Sequence, residues 1–182
     1  MHFVYLSLGS NIGKKAENLA NACDFLEEKV GKIITKSKIY QTKAWGLENQ
    51  ADFYNQIILI STDFAPKTLL KVILEIELAL GRVRKVRWGE RIIDIDIIYF
   101  DNIVIDNVID NLDDINNVSS HITEENTIII PHQSMQKRLF VLVPLAEIAP
   151  DFVHPVLKKT NKELLDNCDD YGSNCELLII TK

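Results

Sequence analysis

Apolar residues along this chain change period several times, and each change marks an element. Phe3-Val4-Tyr5-Leu6-Ser7-Leu8 is a short apolar run ended by Gly9-Ser10-Asn11, which predicts a first strand and a turn. Leu19, Ala22, Cys23, Leu26 and Val30 then recur at helical spacing, the stripe of an amphipathic helix. Ile33 to Tyr40 and Asn55 to Thr62 predict two more strands, separated by a polar loop from Gln41 to Asp52 that holds Trp45-Gly46. Pro66 opens a second helix carried by Leu69, Leu70, Ile73, Ile76, Glu77 and Leu80, and Gly81 supplies its stop. Ile92 to Phe100 reads as a central strand in which Ile93, Ile95 and Ile97 alternate with Asp94 and Asp96, so both carboxylates share one face.

The stretch from Asp101 to Thr127 breaks the pattern, with eleven Asp or Asn among its twenty-seven residues and no Lys or Arg. Only Val108, Leu112 and Ile115 hint at a helical turn, so the reading is a surface insertion at about 105–126 in a single domain spanning 1–182. Beyond it, Pro131-His132 opens a segment in which Leu139, Val143 and Ala146 recur helically despite Pro144. A last helix is expected near Lys162 to Cys168 and an edge strand at Glu176 to Thr181. Two successive strands without a helix between them argue against a doubly wound parallel sheet and favour an α+β layer, with helices covering a mostly antiparallel sheet.

Composition narrows the picture. The 182 residues are 47% hydrophobic and 25% charged, the profile of one globular domain. A formal net charge of -6 argues against a general nucleic-acid or anionic-membrane partner. No long apolar run and no basic leader segment is present, and Cys23, Cys168 and Cys175 lack C-x-x-C spacing, so free thiols in a reducing cytoplasm are expected.

Against that acidic background, Arg82, Arg84, Arg87 and Arg91, four of the five arginines, fall within ten residues and run into Asp94-Ile95-Asp96. Arg presents a planar fork that matches phosphate oxygens two at a time. So many like charges repel unless an anion holds them, and paired carboxylates beside them suit a metal-bound polyphosphate. Gly9-Ser10-Asn11-Ile12-Gly13-Lys14-Lys15 imitates a phosphate loop but has three residues between its glycines and no Ser or Thr after Lys14, so it is read as a strand-to-helix turn. Trp45 and Trp88, each beside a glycine in a polar loop, are candidate walls for a planar heterocycle, and His132 after Pro131 reads as a turn-capping histidine. There is no Ser-His-Asp signature and no zinc-ligand spacing. On these residues alone, a magnesium-dependent kinase, a nucleotidyltransferase and a non-catalytic nucleotide-binding module all remain open.

The run from Gly81 to Ile97, GRVRKVRWGERIIDIDI, resembles the signature of the 6-hydroxymethyl-7,8-dihydropterin pyrophosphokinases. Leu8-Gly9-Ser10-Asn11, Tyr40-Gln41-Thr42, Phe53-Tyr54-Asn55, Pro131-His132 and Pro144-Leu145-Ala146-Glu147-Ile148-Ala149-Pro150 agree in order. The resemblance implies a ferredoxin-like α+β fold and transfer of the pyrophosphoryl group of ATP to the hydroxymethyl group of the pterin, with AMP released. It implies that Asp94 and Asp96 hold two Mg2+ ions and that Arg82 and Arg91 stabilise the transferred group. Glu77, Arg84, Lys85, Arg87, Trp88, Ile97, His132 and Arg138 would serve ATP. Phe53 and Phe140 would sandwich the pterin, with Asn55, Thr42 and the chain near Trp45 as its polar partners. The substrates are then small molecules, and a cytoplasmic monomer without nucleic-acid or membrane partners is expected. Lys43-Ala44 and Leu74 depart from the family pattern, and the acidic insertion carries no arginine for the nucleotide contacts expected beside it.

Overall fold

The computed structural model describes residues 1–43, 50–82, 90–108, 127–170 and 175–177. Its first strand, β1 (His2–Ser10), forms antiparallel ladders on both sides, with β4 (Phe53–Thr62) and with β5 (Asp94–Phe100). The main sheet runs β5-β1-β4-β3-β8, where β3 is Tyr40–Thr42 and β8 is Cys175–Leu177, and β2 (Gly31–Lys36) also pairs with β4. All of these pairings are antiparallel, and the order follows the expected ferredoxin-like layer.

The strand expected over Ile33 to Tyr40 is two strands rather than one. At Ser37 the chain leaves the ladder, because its hydroxyl oxygen accepts the N–H of Ile57 at 3.0 Å while its own N–H donates to Ile57 O at 2.9 Å. A side chain thus satisfies a backbone donor that a carbonyl would otherwise meet.

Alternation along β1 divides the sheet into two cores. Val4, Leu6 and Leu8 face α1 (Lys15–Lys29) and α2 (Pro66–Ala79) together with Ile58, Ile60, Ile95 and Ile97. On the opposite face Ile57 and Tyr99 pack against α3 (Leu139–Ile148) and α4 (Asn161–Asp166) through Val141, Leu142, Leu145 and Leu164. α1 buries the predicted Leu19, Ala22, Cys23 and Leu26, and α2 ends before Gly81, whose φ of 89° suits glycine. In α3 the buried residues are Val141, Leu142, Pro144 and Leu145, not the predicted stripe of Leu139, Val143 and Ala146. Nearly every position of that helix is apolar, so only its docking direction selects the inward face.

The acidic insertion is entered and left through a second, two-stranded sheet, β6 (Ile105–Val108) against β7 (Thr127–Ile130). Residues 109–126, most of the predicted excursion, lie outside the described residues. The terminal edge strand forms over β8 against β3, and residues beyond 177 lie outside the description. Cys23 and Cys168 are free thiols.

Candidate active site

Cross-strand register decides which side chains meet. Gly9 on β1 pairs with Asn55 on one side and with Asp94 on the other, and Ser7 pairs with Asp96. Directly opposed residues share a sheet face, so Asn55, Asp94 and Asp96 project from the side that α3 covers. Ile95 and Ile97 alternate into the α1/α2 core, as the sequence predicts. The Ile97 side chain is therefore packed among core residues.

Asp94 begins β5 and is gripped by two arginines. Its Oδ1 accepts from Arg82 Nη2 at 2.8 Å, and its Oδ2 pairs with Arg91 Nη1. Arg82 also pairs through Nη1 with Glu77, whose Oε1 accepts the N–H of Ile95 at 2.7 Å. Glu77 is only 2% exposed, so it sits beneath Arg82 and braces the edge of β5. It lies on the predicted apolar stripe of α2, and that periodicity was the signal for its burial.

These charges perturb one another. Burial, then the neighbouring Asp94, pushes the Asp96 carboxyl up to about 6. Burial likewise raises Glu77, to about 7, although Arg82 pulls against it. Burial works against the Arg82 charge, but Asp94 and Glu77 outweigh it and the net shift is upward. A buried carboxyl whose affinity for a proton is raised beside a second carboxylate has the donor chemistry to hold a hard divalent cation in the proton's place.

His132 follows Pro131 at the end of β7, and its backbone N–H donates to Ile98 O at 3.0 Å. Its Nδ1 accepts the N–H of Ser134 at 3.3 Å, the turn-capping role predicted, which assigns the ring proton to Nε2. Burial, then Arg138, lowers its pKa to about 4, so the ring is neutral at physiological pH. Arg138 precedes α3, with its guanidinium carbon 5.6 Å from the Phe140 ring centre, and its charge is felt by both Asp96 and Asp94.

On the other side of Gly9, Asn55 is 3% exposed and donates through Nδ2 to Thr42 Oγ1 at 2.8 Å. Its second N–H and its carbonyl oxygen have no side-chain partner among the described residues. A Cβ on Gly9 would stand 3.4 Å from Asn55 Oδ1 and 3.7 Å from the Phe53 ring, so glycine keeps this wall open. Phe53 is half-buried at the start of β4. Trp45, Arg84, Lys85, Arg87 and Trp88 lie outside the described residues. Asn11, quoted only as part of a motif, proves to be a side chain bonded to both flanks of the site.

Residues 5–150 match the family described as 7,8-dihydro-6-hydroxymethylpterin-pyrophosphokinase. The 2-amino-4-hydroxy-6-hydroxymethyldihydropteridine pyrophosphokinase of Methylorubrum extorquens is 40% identical over 92% of this chain and 94% of its own length. The enzyme of that name from Aquifex aeolicus is 36% identical over 90% of each chain. A folic acid synthesis protein of Dictyostelium discoideum is 38% identical, but this chain spans only 23% of its length. Among solved structures, the HPPK-DHPS of Plasmodium falciparum shares the fold at a TM-score of 0.70 and 21% identity, over 91% of this chain and 43% of that one.

Proposed function

The chain belongs to the 7,8-dihydro-6-hydroxymethylpterin-pyrophosphokinase family, and from that premise we propose how its own residues carry the reaction. It is an ATP-dependent diphosphokinase that transfers the pyrophosphoryl group of ATP to the hydroxymethyl group of 6-hydroxymethyl-7,8-dihydropterin in folate biosynthesis, giving AMP and the pterin diphosphate.

Asp94 and Asp96 hold magnesium, two ions in all. Their shared face and the upward shift of Asp96 support this. When bound, Mg2+ neutralises phosphate charge and aligns the transferred group. Arg82 and Arg91 stabilise charge on that group, each having a nitrogen on Asp94 and a planar fork of further donors. Neutral His132 donates from Nε2 to the nucleotide, and Arg138 faces the same phosphates. Glu77 serves ATP indirectly by holding Arg82. Arg84, Lys85, Arg87, Trp88 and the backbone of Ile97 belong to the nucleotide side on the strength of the motif.

The pterin stacks between Phe53 and Phe140, with Asn55, Thr42 and the chain near Trp45 as its polar partners. A buried amide with atoms to spare rejects a ring that cannot complete its hydrogen bonds, which supplies selectivity beyond stacking. Attack needs no protein nucleophile, since the chain aligns acceptor and leaving group and neutralises charge.

The register around Gly9 carries this reading. Asn55 and Asp94 are separated by two strand spacings, about 10 Å. The amide assigned to the ring and the carboxylates assigned to the phosphates thus flank Gly9 on opposite sides, with room for the pterin between them. Phosphorus NMR with ATP, Mg2+ and the dihydropterin tests it. AMP and pterin diphosphate should form with the wild type and not with Asp96→Ala, and an Asp96→Ala enzyme that keeps its rate would overturn the assignment.

The free thiols of Cys23 and Cys168 suit a reducing cytoplasm, and the proposed form is a monomer, one domain with an insertion at 105–126. Among the described residues no helix is long and apolar enough to cross a membrane. Light scattering showing a dimer would refute the monomer.

A further inference from the structure

The turn from Asn11 to Lys15 has no part in the reading above, yet it touches both flanks of the site. Asn11 is 3% exposed and uses both ends of its amide. Its Oδ1 accepts the N–H of Arg91 at 2.6 Å, and its own backbone N–H donates to Arg91 O at 3.0 Å. Its Nδ2 donates to Gln50 Oε1 at 3.1 Å and to Ala51 O at 3.4 Å. Asn18 fixes the turn from below, donating to Ser10 Oγ at 3.0 Å and to Ile12 O at 2.9 Å. Lys15 adds a bond from Nζ to Asp52 O at 2.9 Å and lies 4.2 Å from the Tyr54 ring centre.

Ladder hydrogen bonds do not reach these contacts. β1 ends at Ser10, β4 begins at Phe53 and β5 begins at Asp94, so Gln50–Asp52 and Arg91 both lie beyond the paired strands. Asn11, one residue past β1, continues the ladder outward with its own N–H on the Arg91 side and with its side chain on both sides.

We infer that Asn11 is a positioning residue for pyrophosphoryl transfer, a single buried amide that sets Arg91 on the phosphate side against the segment leading into Phe53 and Asn55 on the pterin side. The inference rests on the family's reaction and on the assignment of Arg91 and Phe53 to the two substrates. Its two halves are chemically separable. Aspartate at position 11 keeps the oxygen that accepts from Arg91 and loses the donor to Gln50 and Ala51. Alanine loses both. Gln50→Ala removes the acceptor of the Asn11 Nδ2 bond at 3.1 Å and leaves the buried amide in place.

Steady-state kinetics of N11A, N11D and Q50A, scaled to the folded fraction by circular dichroism, test this. N11A should lose about 100-fold in kcat, the scale of a misplaced reacting group, with KM raised for both substrates. N11D and Q50A should raise the pterin KM by about tenfold while the ATP KM stays near wild type. A folded N11A with wild-type kcat, or N11D and Q50A raising both KM values equally, would overturn the inference. Should N11A and N11D fail to fold, Q50A alone decides it. The wild-type control separates the two premises: AMP formation by wild type and N11A alike sinks only the role of Asn11, whereas a wild type that forms no AMP sinks the reaction itself.

Discussion

Asp94 and Asp96 are two residues apart and have opposite relations to the fold. Asp94 compensates Arg82 and Arg91, so its charge stabilises the protein in the absence of ligands. Asp96 is raised from 3.8 to about 6 by burial and by Asp94, so ionising it at neutral pH costs more in the folded chain than in the unfolded one. Replacing Asp96 with Asn should therefore raise metal-free stability at neutral pH by on the order of 1 kcal/mol, discounted for its partial exposure, while abolishing turnover. Replacing Asp94 with Asn removes the carboxylate that Arg82 and Arg91 share and should lower both stability and turnover. Urea denaturation in a chelator checks the pair, and equal shifts of the same sign would refute the division of roles. The residues themselves were legible in the sequence, because alternation on a strand places both carboxylates on one face. Their inequality was not, since it depends on where the Arg82 and Arg91 forks land.

At the scale of elements, two local devices fix how helices meet strands. Gly31 joins α1 to β2 at a φ of 156°, and a Cβ there would lie 2.0 Å from Ser61 O. Backbone on β4 cannot yield as a side-chain tip can, so Gly31→Ala should cost about 3 kcal/mol, measured as a lowered urea midpoint with an unchanged slope. A cost under about 0.5 kcal/mol would mean that β2 re-registers freely. Thr160 and Glu163 form a reciprocal capping box on α4, with Thr160 Oγ1 accepting the N–H of Glu163 at 3.1 Å and Glu163 Oε2 accepting the N–H of Thr160 at 2.7 Å. The helix they start carries Asn161, which accepts from the Tyr99 hydroxyl at 2.8 Å and donates to Ala149 O at 2.8 Å. Thr160→Ala should cost about 1 kcal/mol and lower Tm by about 2 to 4 °C, and an unchanged Tm would mean that the helix is held by Asn161 alone. Elements with one apolar stripe, such as α1, were read from sequence to within a few residues. α3 was found but turned to the wrong face, because an all-apolar helix has no stripe to read. The division of β2 from β3 escaped notice because Ser37 breaks the ladder through a contact with Ile57, twenty residues away.

Across the whole molecule, the sheet separates an α1/α2 core from an α3/α4 core, and the site occupies one end of the second face. The motif around Arg82 to Asp96 made the chemistry legible because its charges are close in sequence. Asn11 bridging Gln50 and Arg91, and Glu77 beneath Arg82, needed the fold to bring distant segments together. The second core has its own titrating group. His154 is buried against Tyr99, with ring centres 5.6 Å apart, and its Nδ1 accepts the N–H groups of Val156 at 3.2 Å and Leu157 at 3.1 Å. Burial holds its pKa below 6.5, so the unfolded chain takes up this proton first as pH falls. Its contribution to stability is present above about 6.5 and is lost as pH drops through that value. Glu77 and Asp96 act in the opposite sense, since their raised values make the folded state hold protons longer, and their stabilisation is lost as pH rises towards about 7 and about 6. The wild-type pH profile sums these opposed slopes and isolates none of them. His154→Asn keeps an acceptor oxygen near the Nδ1 position and removes the titration together with the ring contact to Tyr99; the lost packing shifts the midpoint alike at every pH, so the pH dependence of the difference between the two proteins belongs to the His154 titration. Urea midpoints from about pH 7.5 to about 5.5 should show the wild type losing stability relative to His154→Asn as the solution acidifies, and parallel profiles would refute a buried neutral histidine in this core.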